Sequence, residues 1–210
     1  LDNGMSDSIK NLKNAMNSEL SLVDEGDGYN LYHSMLVKQH QQEFISDSHK
    51  AHERYKTVFK DNNLDSTLGY KFYNIFSLTV GSPLFYLLYR QISLAVRSIV
   101  NDTDPLWMQC WLNYHKSNEV LNWHGHYGCI LHGYISIDPK NTTTEFKKFS
   151  IKNEVGLMYI GSPSTQHRVV VNEDYSDTRL TLAFDVADLS LNMQSKDQRV
   201  RHNLSFIPVP

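Results

Sequence analysis

Beyond Pro105 the chain offers one short β-rich run after another, and no stretch with helical spacing lies between them. The runs cover 107–114, 129–137, 145–151, 156–160, 168–171 and 179–186, and Gly, Pro, Asn, Asp and Ser separate them. Parallel neighbours need a long crossover, usually a helix, so strands without intervening helices predict antiparallel pairing. Many short antiparallel strands close best as a sandwich or barrel such as a jelly roll. A doubly wound α/β sheet is excluded on the same ground, and no G-x-G-x-x-G or phosphate loop argues for one.

The first half reads differently. Ile9, Leu12, Met16 and Leu20 recur at spacings of three and four, which predicts a short amphipathic helix within 5–25, ended by Gly26 and Gly28. Residues 29–62 read as helix or irregular cover, with His40, His49 and His52 as solvated surface histidines. A strand-like patch occupies 70–76. Ser82-Pro83 then marks a helix start, a capping serine followed by proline at the first helical position. Leu84, Leu87, Leu88, Ile92, Leu94, Ala95, Val96 and Ile99 form a stripe wide enough to pack across a sheet, and the helix should end near Asn101. At the far end, 204–207 can add an edge strand. The expectation is one domain over 5–210, mainly β with packed helices (α+β). Helical and cover elements occupy 5–104 and a jelly-roll core about 105–190.

Apolar residues make up 40 % of the 210, enough for a buried core, and the formal net charge of −3 provides no basic field for nucleic acid or an anionic membrane. No apolar run reaches bilayer length and no signal-peptide profile opens the chain, so a soluble, cytoplasmic protein is expected. Cys110 and Cys129 are too far apart for a C-x-x-C site and read as buried free thiols. No pattern fixes an oligomeric state.

Within this β-rich half, Trp123-His124-Gly125-His126-Tyr127 carries the chemistry. Two histidines one residue apart point the same way from a strand, and His167 supplies a third imidazole from a more distant turn. Imidazole suits Fe, Zn, Ni and Cu alike, so the residues alone choose no metal. Arg179 opens R-L-T-L-A-F-D-V, where alternation puts Arg179, Thr181, Ala183 and Asp185 on one face. An inward arginine in an apolar barrel needs an anion, and its planar fork fits a carboxylate. The plainer alternatives are a polar strand edge for H-x-H, a satisfied turn histidine at 167, and an Arg179 paired with Asp177 or Glu173.

The ordered set of pieces resembles the iron- and 2-oxoglutarate-dependent oxygenase superfamily. It is most similar to a small branch with H-x-H where other members have H-x-D or H-x-E. The matching pieces are Trp111-Leu112-Asn113, His124-Gly125-His126 and His132-Gly133-Tyr134-Ile135. They continue through 156–164, His167-Arg168-Val169 and Arg179-Leu180-Thr181-Leu182-Ala183-Phe184. The resemblance spans about 107–186 and implies a double-stranded β-helix with helices on its outer sheet. It implies Fe(II) and 2-oxoglutarate as cofactors, with dioxygen and a small-molecule or amino-acid-type substrate as partners. His124 would be the proximal ligand and His167 the distal one. Arg179 would hold the distal carboxylate of 2-oxoglutarate, with Asn113, Tyr134 and Thr181 as helpers. His126 stands where the acid usually does; direct ligation is expected, making the site one charge more positive.

The resulting expectation is a dioxygenase that hydroxylates its substrate and releases succinate and CO2. A non-catalytic jelly-roll binding module and a cupin-like metal enzyme without 2-oxoglutarate are the alternatives. Arg179 separates them, because only the oxygenase requires it inward and near the metal.

Overall fold

The computed structural model describes residues 19–59, 73–100, 104–119, 121–188 and 205–210. Strands β1 (Leu20–Gly26) and β2 (Tyr29–Ser34) form a hairpin. Helices α1 (Met35–Gln39), α2 (Gln41–Val58), α3 (Ile75–Leu78) and α4 (Pro83–Ile99) follow. After them come β3 (Leu106–His115), β4 (Leu131–Asp138), β5 (Thr142–Phe146), β6 (Ser150–Lys152), β7 (Leu157–Gly161), β8 (His167–Val171), β9 (Arg179–Ala187) and β10 (Ile207–Val209). The larger sheet runs β1-β2-β7-β4-β9-β3-β10 and the smaller β6-β5-β8, with every pairing antiparallel. The strand-rich second half thus folds as the double-stranded β-helix that its punctuation predicts.

Alternation along each strand sorts two cores to opposite faces of the larger sheet. Met108, Cys110, Leu112, Ile135, Ile137, Leu182, Phe184 and Val186 point outward and pack with Phe44, Phe85, Leu88, Ile92 and Val96 of α2 and α4. The inward face joins a smaller cluster with the second sheet, built from Leu31, Trp111, Tyr134, Phe146, Ile151, Tyr159 and Ala183. Helix α4 starts as the Ser82-Pro83 signal predicts. The Ser82 hydroxyl accepts from the Phe85 N–H (3.4 Å) and donates to Asp47 of α2 (2.6 Å), tying the two covering helices together. Among the described residues no helix is long and apolar enough to cross a membrane.

Some local expectations fail, each for a tertiary reason. Leu20, assigned by its spacing to an amphipathic helix, begins β1; the other residues of that stripe lie outside the described residues. Residues 29–34 extend the larger sheet, because β2 pairs with the edge of β7. The strand-like 70–76 also fails where it is described. Asn74 caps a helical turn by accepting from the Phe76 N–H (3.1 Å), and its amide donates to the Met108 and Ser205 carbonyls. Nor is His52 a solvated surface residue: it is buried and stacks on Tyr114, with ring centroids 4.1 Å apart. The edge strand anticipated near 207 is present as β10, paired with β3.

Gly133 shows how tightly β4 fits between its two neighbours in the larger sheet. A Cβ there would clash with the Phe184 ring, its partner on β9, and would lie 2.6 Å from the Tyr159 carbonyl oxygen. Overpacking of this kind costs about 1–3 kcal/mol. Gly133→Ala is therefore expected to lower the urea midpoint without changing the slope of the unfolding transition.

Candidate metal and anion site

The site rests on the inward face of the larger sheet, where cross-strand partners fall into levels. One level holds Gln109, Asp185, His132 and Gly161. The next is aromatic, with Trp111, Ala183, Tyr134, Tyr159 and Leu31. Beyond it come Asn113, Thr181 and Ser136, then His115 opposite Arg179. Four residues of strand separate Asp185 from Thr181, roughly 13 Å along β9. A histidine-rich end and a cationic end therefore lie on either side of an aromatic layer.

At the first end the chain between β3 and β4 comes back to the smaller sheet. His124 and His167 form an antiparallel bridge, each N–H donating to the other's carbonyl at 3.0 and 2.9 Å. The His126 N–H donates to the Pro163 carbonyl at 2.9 Å. These backbone bonds gather His124, His126 and His167, and one ligand nitrogen from each lies within 4.8 Å of the others.

Hydrogen bonds set the tautomers. Nδ1 of His124 faces the Asn122 carbonyl at 2.7 Å, and Nδ1 of His167 faces the Thr165 carbonyl at 3.2 Å. Nδ1 of His126 faces the Asp185 carboxylate at 3.0 and 3.2 Å. A carbonyl or carboxylate oxygen can only accept, so each Nδ1 carries the proton and each Nε2 keeps its lone pair. His126 Nε2 is buried without a hydrogen-bond partner. Such an orphan costs about 1–3 kcal/mol, and a metal ion would satisfy it. The donor set fits a divalent metal with three nitrogen ligands.

Around this cluster the walls are aromatic. Trp111 lies against His126 with centroids 6.0 Å apart, and Phe146 against His167 at 5.5 Å. Burial, reinforced by the neighbouring imidazoles, pulls His167 down to about 3. Burial likewise holds His132 near 4, though its bond to Asp185 works the other way. Both imidazoles are therefore neutral, as ligation requires. Burial pushes the Asp185 carboxyl up, but the hydrogen bonds from His126 and His132 outweigh it and hold it at about 2.

At the other end Arg179 is only 4 % exposed. Its guanidinium donates to Thr181 Oγ1 at 2.9 Å and to His115 Nδ1 at 3.0 Å. Burial, followed by the Arg179 charge, lowers His115 to about 3, so the histidine is a neutral acceptor. Among the described residues Arg179 makes no ion pair. Asp177 is taken by Lys140 (2.7 Å), and Glu173 accepts from Asn141 (3.3 Å). A buried cation without an anion is costly, by several kcal/mol, and an anion placed beside Arg179 would offset that cost.

Asn113 and Thr181 lie one level from Arg179 on the inward face, and Tyr134 one level further. The Thr181 oxygen accepts from Arg179, which leaves its own O–H as a donor. Asn113 Oδ1 accepts from Trp111 Nε1 (3.2 Å), which turns the amide NH2 into the donor end. The Tyr134 hydroxyl donates to Asn153 Oδ1 (3.3 Å), which Thr144 also reaches (3.1 Å). Tyr134 lies close enough for the Arg179 charge to favour its ionised form, although burial dominates and raises its pKa.

Three residues of this site have no role assigned by the sequence motifs: His115, His132, although it opens a matching piece, and Asp185, although it shares a face with Arg179. The signal was present, because the alternation that turns Asn113, Tyr134 and Thr181 inward also turns each of these inward. His126, His132 and Asp185 form a second group of potential ligands sharing His126 with the first. In that group both Nδ1 atoms already donate to the carboxylate. The first group, by contrast, offers three uncommitted lone pairs. Cys110 and Cys129 are free; Cys110 is buried as expected, Cys129 only in part.

No family model matches the chain, and no curated protein matches it. Its fold is nonetheless a double-stranded β-helix of the kind used by non-heme iron, 2-oxoglutarate-dependent oxygenases. One similar solved structure is the non-heme α-ketoglutarate-dependent carbocyclase SnoK from nogalamycin biosynthesis. It has a TM-score of 0.57 and 9 % identity, over 88 % of this chain and 92 % of that one. Another is the apo form of the non-heme monooxygenase ThoJ, with a TM-score of 0.50 and 13 % identity, over 73 % of this chain and 71 % of that one. At such identities the likeness speaks to the fold.

Proposed function

We propose that this chain is an Fe(II)- and 2-oxoglutarate-dependent dioxygenase that hydroxylates a small-molecule or amino-acid-type substrate, with release of succinate and CO2. The reading is carried by one juxtaposition: a three-histidine cluster with lone pairs to offer shares its barrel with a buried guanidinium that has no acid partner among the described residues. A metal enzyme without an oxo-acid cofactor needs the first half of that arrangement only, and a non-catalytic module needs neither half.

His124, His126 and His167 would hold the iron through Nε2. Arg179 would hold the distal carboxylate of 2-oxoglutarate, with Thr181 and Asn113 as further donors and Tyr134 beside them. When bound, the iron and 2-oxoglutarate together activate dioxygen for attack on an unactivated C–H bond. The chain contributes orientation and exclusion of water. Trp111, Phe146 and Tyr159 pack between the two ends, and neutral His115 holds the guanidinium in place without competing for the anion.

Anaerobic calorimetry tests this reading with 2-oxoglutarate and with glutarate, the same diacid without its keto group. Both should bind the metal-free protein weakly through Arg179. Loading Fe(II) should tighten 2-oxoglutarate alone, since only the oxo-acid can chelate. Equal affinities for the two acids in the loaded protein, or no binding of either, would refute the assignment.

A further inference from the structure

The histidine at position 126 leaves the ligand set without the negative charge that an H-x-D or H-x-E acid provides. We propose that Asp185 supplies this charge from one imidazole away, as a positioning residue that makes His126 a stronger ligand. The inference rests on the reading of His124, His126 and His167 as metal ligands.

Its basis is geometric. Asp185 comes from β9, on the opposite wall from the His124–Tyr127 segment, and is only 8 % exposed. Its carboxylate accepts the His126 Nδ1–H at 3.0 Å and the His132 Nδ1–H at 2.9 Å through the same oxygen, with a longer contact from His126 to the other. The two imidazoles stack with centroids 3.5 Å apart and an interplanar angle of 16°, so their N–H groups converge on one acceptor. No lysine or arginine pairs with Asp185 among the described residues. The His126 and His132 N–H groups are the main donors to the buried charge, and the Cys129 thiol also lies within reach of it.

Asp185 lies on the Nδ1 side of the His126 ring, whereas the orphaned nitrogen is Nε2. A metal on Nε2 would be about 6–7 Å from the carboxylate, counting a hydrogen bond, the ring and a coordinate bond. Asp185 thus acts through the imidazole. Drawing the Nδ1 proton toward a carboxylate raises electron density at Nε2 and fixes the ring's orientation, and losing such a partner typically lowers metal affinity about 10–100-fold. His132 is the brace in this arrangement: its own N–H fixes the oxygen to which His126 donates.

The test uses the full chain, stripped of metal and titrated with Co(II), whose ligand-field absorption reports coordination. Asp185→Asn keeps the size and an acceptor oxygen but removes the charge. It should weaken Co(II) about 10–100-fold, with the saturated spectrum retaining the wild-type coordination number, and Asp185→Glu should recover part of the loss. Asn within twofold of wild type would overturn the proposal while leaving the three-histidine site standing. Failure of wild type to take up Co(II) would instead remove the reading beneath it. A loss as complete as that of His126→Ala, with a changed spectrum, would make Asp185 a ligand and likewise overturn the proposal. Nitrogen NMR of Zn(II)-loaded wild type, labelled in its histidine rings, decides the question even if the asparagine variant does not fold. His126 should show a metal-bound Nε2 and a protonated, strongly hydrogen-bonded Nδ1; a metal-bound Nδ1 would contradict the proposal.

Discussion

Arg179→Met is expected to weaken 2-oxoglutarate binding to the Fe(II)-loaded protein by roughly 30- to 3,000-fold, yet leave the metal-free protein no less stable. The two halves have opposite signs for one reason. With ligand bound, the guanidinium is half of a buried charge pair, and truncating one partner of such a pair costs about 2–5 kcal/mol. Without ligand it is a buried cation with Thr181, neutral His115 and the Tyr175 hydroxyl beside it, and no acid among the described residues. Removing it strands Thr181 and His115 at about 1 kcal/mol each but relieves a desolvated charge worth several. Thermal unfolding reads both effects. A ligand at one hundred times its Kd stabilises the wild type by about 2.7 kcal/mol, and at the same concentration that increment should fall to about 0.9 kcal/mol or less in the variant. A variant that unfolds far more easily yet still binds 2-oxoglutarate would make Arg179 a structural cation.

The second large effect concerns the metal. His126→Ala should cost about 100-fold or more in affinity for a divalent ion, taking one ligand's share, roughly 3 kcal/mol, of the 10–16 kcal/mol typical of a four-ligand site. His124→Ala and His167→Ala should do the same. His132→Ala should retain stoichiometric metal, because its Nδ1–H is spent on Asp185 and its ring packs on the ligands without belonging to their set. Competition with a chromophoric chelator ranks all four. The reverse order, with His132 essential and His124 and His167 dispensable, would move the ion to the group formed by His126, His132 and Asp185.

How much of this was legible beforehand follows from the range of the interactions involved. Strand alternation is local, so R-L-T-L-A-F-D-V alone announces that Arg179 and Asp185 share a face. The Ser82-Pro83 helix start is equally local. Pairing is not: nothing within 20–34 reveals that β7 offers an edge to β2, so a strand hairpin is easily taken for a helix and cover. Asn74 likewise has its amide partners at Met108 and Ser205, far along the chain. The family resemblance assigns no role to His115, His132 or Asp185, although His132 opens one of its matching pieces and Asp185 shares a strand face with Arg179. Those three orient Arg179 and His126, and a single rule, that every second residue of an inward strand is also inward, would have found them.

The central claim is that the histidine cluster and Arg179 serve one ligand. Adding 2-oxoglutarate to the Fe(II)-loaded protein without oxygen tests it most directly, because chelation by the oxo-acid creates a visible metal-to-ligand charge-transfer band. The expected result is a band in wild type that His167→Ala abolishes and that Arg179→Met produces only at far higher 2-oxoglutarate concentration. Iron-loaded wild type that stays colourless at saturating 2-oxoglutarate would contradict the account.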